Sequence, residues 1–243
     1  MKINLIFHIY CIEHKMTYYA IEKLKNNIDI FTGVKIITLS APENNFETDS
    51  YKSIIEMNDV EFITVDNNNR EVNSFFDILL PSLEQKSSVD DYTFFGHNKG
   101  CTREENNLAI KILVRTLWKY NIEKFDDLIK PELGKYKFIG CLRKIEPKLP
   151  MGNIEVVEPY HYAGAFFWFS NRIFKERWNY NNGTRWATEK WPGMLSTLDN
   201  SISVYDKEND GDFYADNFWL MGYGTYSYLN SEKYKKFKRK YKF

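Results

Sequence analysis

The stretch "HNKG" at residues 97–100 places an imidazole, an amide and an ammonium side by side before a glycine. It closes the apolar run "YTFFG" at 92–96, which follows the acidic pair Asp90 and Asp91. An apolar run that ends abruptly in polar residues reads as a buried strand delivering them to its carboxyl end. In open α/β sheets that edge is where ligands bind. Lysine there is a compact point charge, histidine a hydrogen-bonding group or metal ligand, and Gly100 lets backbone come close to a ligand. The plain alternative is a strand whose polar end simply meets solvent.

The elements needed to position these residues are legible in the pattern. Residues 3–9 form a short apolar run and 34–40 a second, "VKIITLS", while "VEFITVD" at 60–66 alternates. Residues 16–26, 51–57, 73–84, 104–120 and 122–129 carry helical spacing, and "KFIGCL" at 137–142 reads as a further strand. The alternation of strand and helix predicts a parallel-rich, doubly wound α/β sheet. The second half differs: "HYAGAFFWFS" at 161–170 reads as one aromatic strand, followed by the Trp-rich "RWATEKWPG" at 185–193.

Composition narrows the function. The chain has 243 residues, 33 basic and 33 acidic, so its net charge of zero disfavours non-specific nucleic-acid binding. Its 17% aromatic content suits a large core and also stacking surfaces for sugars and bases. The three cysteines form no CxxC, which suits a reducing, cytoplasmic setting. No glycine-rich GxGxxG or GxxxxGK[ST] motif is present, so the usual dinucleotide and P-loop readings lose their main support. The first apolar run is too short to span a bilayer.

Four motifs in order, "FHIY" at 7–10, "NNNREVNSFF" at 67–76, "HNKG" at 97–100, and "HYAGAFFWF" with "RWATEKWP" from 161 to 192, resemble small GT-A-type glycosyltransferases of bacterial and viral glycan-building clusters. Asn98 stands where that group has Thr, and Ala165 where it has an Asn amide. The resemblance implies a GT-A-like (Rossmann-like) α/β fold, a mixed, mostly parallel sheet flanked by helices. It implies a single domain over residues 1–230, with a nucleotide-sugar half (1–145), an acceptor half (146–230), and a basic tail at 231–243. It implies sugar transfer from a nucleotide-diphosphate sugar to a glycan or lipid-linked acceptor, by inversion. The runner-up is a non-catalytic nucleotide- or carbohydrate-binding module on the same fold.

Roles follow from that resemblance and from side-chain chemistry. The diphosphate leaving group needs its charge stabilised. Lys99 could neutralise it, and His97 could bond a phosphate or a sugar hydroxyl, or share a metal with His161. With Asn98, these form the expected donor site. No D-x-D motif stands at the strand end, which leaves any Mn or Mg requirement open. Tyr10 could stack on the base, and His8 is either its neighbour in the site or a satisfied core residue. Asp66 and Asn68 could meet ribose or sugar hydroxyls, and Arg70 a phosphate or Glu71; an Asn run is also an ordinary turn. Glu189, between Trp186 and Trp191, is the candidate general base, because indole walls would desolvate it and raise its pKa. An i,i+4 pair with Arg185 competes, and Asp212 and Asp216 are alternative bases. His161, Tyr162, Gly164, Phe167, Trp168, Trp186 and Trp191 form the expected acceptor surface, although core packing also explains most of that run. The tail could lie on an anionic membrane surface, giving a peripheral contact, or pack as a solvated helix.

Overall fold

The computed structural model describes residues 1–41, 48–55, 57, 59–65, 71–105, 107–145, 160–176, 178 and 186–206. The fold class expected from the sequence is the one observed: a mixed, mostly parallel seven-stranded sheet with helices on both faces. The strands are β1 (Ile3–Tyr10), β2 (Lys35–Ser40), β3 (Glu61–Thr64), β4 (Tyr92–His97), β5 (Phe138–Gly140), β6 (Arg143–Ile145), β7 (Tyr160–Tyr162), β8 (Phe167–Ser170) and β9 (Ser201–Ser203). The large sheet runs β3-β2-β1-β4-β8-β5-β9, and among the described residues β6 pairs only with β7. Pairs β3-β2, β2-β1, β1-β4 and β5-β9 are parallel. β8 is antiparallel to both β4 and β5.

The central strands are apolar on both faces because both faces are covered. On one face Leu5, Phe7, Ile9, Phe94 and Trp168 pack under the helices Lys15–Asn26 and Leu108–Trp118. On the other, Ile6, Phe95 and Phe167 meet Phe75, Phe76, Leu79 and Trp191. The latter come from the helical stretch 71–86, whose middle, Ser74–Leu79, is a π-turn, and from the helix Ala187–Leu195.

Two expectations change. The helix expected from residue 104 begins at Leu108, because Asn107 caps it: its side chain accepts from the Ile110 N–H at 3.0 Å. The aromatic run at 161–170 is not one strand. Gly164 (φ 76°) and Ala165 (φ 51°) lie in the left-handed region, so the chain turns between β7 and β8. At Gly164 a side chain would also meet Leu117 Cδ1 at 2.7 Å.

The helix Ala187–Leu195 sits directly on β7. A Cβ on Gly193 would lie 1.9 Å from the Tyr160 carbonyl oxygen, a backbone atom that cannot swing away. Gly193→Ala is expected to push this helix off the strand and destabilise the fold by about 1–3 kcal/mol, read as a lowered midpoint in thermal or denaturant unfolding.

Candidate functional site

β1 and β4 are parallel neighbours, with His8 in register with His97, so their carboxyl ends open side by side. Asn98 locks them there. Its Oδ1 accepts from the Tyr10 N–H at 2.8 Å, and its Nδ2 donates to the Tyr10 carbonyl at 2.7 Å and to Thr17 Oγ1 at 3.1 Å. The side chain thus extends the ladder by one rung past the last paired residues. Asn98 is buried and acts as a structural bracket. Tyr10 stays at the edge, half-buried.

His8 is also structural. Its Nδ1 pairs with Thr38 Oγ1 at 3.1 Å and its Nε2 with Ser40 Oγ at 3.3 Å, both hydroxyls of β2. Both ring nitrogens have partners and the residue is buried, so in this structure His8 ties β1 to β2, as the core alternative expected. Burial lowers its pKa to about 4, with Glu71 pulling it up and His97 pulling it down.

The chemistry gathers on the face shared with Glu71 and the helix Ala187–Leu195. Lys99 Nζ lies 3.0 Å from Glu189 Oε1, and both side chains are about nine-tenths buried, at 12% and 9% exposure. The same Oε1 accepts from the Gly164 N–H at 3.1 Å. The Gly164 carbonyl accepts from His97 Nε2 at 3.0 Å, and His97 Nδ1 lies 3.2 Å from Glu71 Oε2. The left-handed Gly164 therefore shows its N–H to one candidate and its carbonyl to another. Burial lowers the His97 pKa to about 3; the Lys99 charge acts in the same sense, while Glu189 and the Gly164 carbonyl oppose it. A neutral ring that donates Nε2–H to Gly164 turns its Nδ1 lone pair toward Glu71. That contact closes as a hydrogen bond when a proton lies between them.

The structure thus brings together the neighbours His97 and Lys99 with Gly164 and Glu189, which come from distant parts of the sequence. It adds Glu71, which sequence reasoning treated only as a partner for Arg70. An acidic residue after an Asn-rich turn, at the start of a helix, was its available signal. Glu189 is held by an ammonium and an amide N–H, not enclosed by two indoles. The Trp191 ring packs into the core against Phe75 and Phe169, its Nε1 donating to the Trp178 carbonyl at 2.8 Å. Trp186 stands at the rim, 37% exposed.

The expected acceptor platform is mostly core. Phe167 and Trp168 are fully buried, and Trp168 Nε1 donates to the Asn121 carbonyl at 3.0 Å. Tyr162 is buried with its hydroxyl donated to the Ile202 carbonyl at 2.8 Å. The strand β8 lies between β4 and β5, and neither of its faces reaches solvent because Trp168 packs into the core on one side and Phe167 and Phe169 into the core on the other. His161 is half-buried in β7, opposite Lys144. His97 Nε2 is engaged by the Gly164 carbonyl and its Nδ1 faces Glu71, and among the described residues no three His, Cys, Asp or Glu side chains gather to hold a metal ion. The cysteines are buried and free; burial pushes Cys11 and Cys101 up to about 12, and Glu71 adds to the shift at Cys101.

Asp66, Asn68, Arg70, Arg185, Asp212, Asp216 and the basic tail lie outside the described residues. No helix among the described residues is long and apolar enough to cross a membrane. A groove of about 620 Å³ lies at the opposite, amino end of the sheet, lined by Lys2, Asn4, Lys86 and Asp91 among others. There the Asp91 carboxylate accepts from the Lys2 and Ser88 N–H groups.

No protein-family model matches the chain, and no curated protein sequence does. Among solved structures, a 4-diphosphocytidyl-2C-methyl-D-erythritol synthase from Anaerococcus prevotii DSM 20548 aligns with a TM-score of 0.45 and 12% identity, over 95% of this chain and 96% of that one. A second 4-diphosphocytidyl-2C-methyl-D-erythritol synthase aligns at 0.41 and 10%, over 79% and 84%. At these values the similarity says nothing about the reaction of this chain.

Two measurements check the site's energetics. Lys99→Ala leaves the Glu189 carboxylate buried without its counter-charge and is expected to cost about 3–5 kcal/mol. The Lys99→Met, Glu189→Gln double variant removes both charges and should unfold at a clearly higher temperature than Lys99→Ala. Equal melting temperatures would show that the pair is not coupled. The second concerns His8. Its folded pKa of about 4 lies below the ordinary unfolded value near 6.5, so between those values the unfolded chain holds a proton the native state lacks. Its contribution is fully present above pH ~6.5 and is lost as pH falls toward 4. From pH 7 to pH 5 the wild type should lose about 1–2 kcal/mol more unfolding free energy than His8→Gln, measured by urea titration.

Proposed function

We propose that this chain is a GT-A-type glycosyltransferase that moves a sugar from a nucleotide-diphosphate donor to a glycan or lipid-linked acceptor, with inversion. The observation that carries the reading is the convergence of Lys99 and Glu189 at the carboxyl ends of β1 and β4. An ammonium at that edge is suited to the charge that develops on a departing diphosphate. A carboxylate within reach of it is suited to take the proton of an acceptor hydroxyl. His97 holds the Gly164 turn that positions Glu189, and Tyr10 remains at the edge beside them. Trp186, at the rim, offers the acceptor an aromatic surface, whereas Phe167 and Trp168 support the site from the core.

A second reading is favoured by one fact: Lys99 and Glu189 neutralise each other as they stand. A binding module that recognises the donor without chemistry would have no use for a freed base. The two are separated by screening nucleotide sugars, with and without Mn²⁺, for thermal stabilisation and then for sugar release. A true donor raises the melting temperature by mass action in either case. Only the enzyme releases nucleoside diphosphate. For the enzyme, Glu189→Gln should bind the donor at least as tightly as the wild type and lower transfer by about 10²–10⁴-fold. Transfer that survives within a few-fold places the base elsewhere.

A further inference from the structure

Glu189 Oε1 is held by two convergent donors, the Lys99 ammonium at 3.0 Å and the Gly164 N–H at 3.1 Å. One ammonium and one backbone N–H aimed at a single oxygen form the kind of socket that also fits a phosphate oxygen. The backbone that carries the socket is held in place. Lys99 follows the end of β4, where Asn98 is bracketed to β1, and Gly164 is held by its φ of 76° and by the His97 bond to its carbonyl. The occupant is a glutamate in the first turn of a helix, and both its side chain and the four-carbon stem of Lys99 can swing about rotatable bonds.

We propose that the Glu189 carboxylate is an internal stand-in for a phosphate of the diphosphate ligand, so that the ligand binds by taking the Lys99–Gly164 socket and releasing Glu189. This rests on the donor class proposed above and deepens it. The exchange is near-balanced, because one anion replaces another on the same donors and no buried charge is left unpaired. It imposes an order: Glu189 is engaged until the diphosphate arrives and is free to face the acceptor only afterwards. An empty site therefore holds no free base beside its lysine.

The exchange predicts an inversion of the usual effect of mutating a site carboxylate. The probe is inorganic pyrophosphate, titrated into the full chain by calorimetry. Glu189→Gln keeps the shape but gives up the competing charge. It should bind pyrophosphate more tightly than the wild type, on the order of tenfold, or about 1.4 kcal/mol. Lys99→Met should lose that binding in both backgrounds. If Glu189→Gln is poorly folded, the wild type alone decides: in ¹⁵N-resolved spectra, pyrophosphate should move the Gly164 amide resonance as its partner changes from carboxylate to phosphate. The proposal is overturned if pyrophosphate does not bind, if Glu189→Gln binds it no more tightly, or if it binds without moving the Gly164 amide. Pyrophosphate exchange without any transfer from nucleotide sugars sinks the enzymatic reading and leaves the socket standing. Transfer in a protein whose pyrophosphate affinity ignores Glu189 does the reverse.

Discussion

The left-handed backbone at Gly164 is the constraint on which the site depends. At φ 76° the chain leaves the small β6-β7 ladder and enters β8, which runs antiparallel through the middle of the large sheet. A residue with a Cβ would be strained there and would press on Leu117. Both polar groups of Gly164 are used at that turn: its carbonyl accepts from His97 and its N–H donates to Glu189. Fold and site thus share one residue. The conformation that lets the chain reverse also aligns the candidate base with the lysine at the end of β4.

Around that turn, polar side chains replace missing backbone ladder bonds. Asn98 pairs with both main-chain groups of Tyr10 beyond the last β1-β4 rung. His14 does similar work: its Nδ1 accepts from the Met16 N–H at the start of a helix, and its Nε2 donates to the Arg103 carbonyl at 2.8 Å. A parallel sheet ends with unpaired groups at its carboxyl edge, and each buried one costs free energy unless it finds a partner. These amide and imidazole brackets supply the partners and keep the edge rigid. The rigid edge in turn holds Lys99 in place while the helix bearing Glu189 rests on β7 through Gly193.

The charge pattern follows from the same packing. Lys99 and Glu189 tolerate burial because each compensates the other and because an N–H completes the carboxylate's bonding. His8 and His97 are held below the ordinary histidine range mainly by burial. They serve as neutral hydrogen-bonding struts near neutral pH, one tying β2 to β1 and the other tying β4 to the Gly164 turn.

The sequence by itself determined the α/β class, the strands at the amino half and the delivery of His97 and Lys99 to a sheet edge. Those features rest on local periodicity and on where an apolar run stops, and both are written in neighbouring residues. It also marked Glu189 as the carboxylate of interest, though for its flanking tryptophans, which turned out not to hold it. Only the tertiary structure decided which polar residues gather at the end of β4 and which tie neighbouring strands together. Asn98 and His8 look like site residues in sequence, yet their partners, Tyr10 and the hydroxyls of Thr38 and Ser40, come from the neighbouring strand. Phe167 and Trp168 look like a sugar platform because alternation promises one open face, and that face closes once β8 is placed between β4 and β5 with helices on both sides. Glu71 and Glu189 reach the same cluster from residues more than a hundred positions apart. A contact of that kind is fixed by strand order and helix packing, quantities that no local pattern of residues encodes.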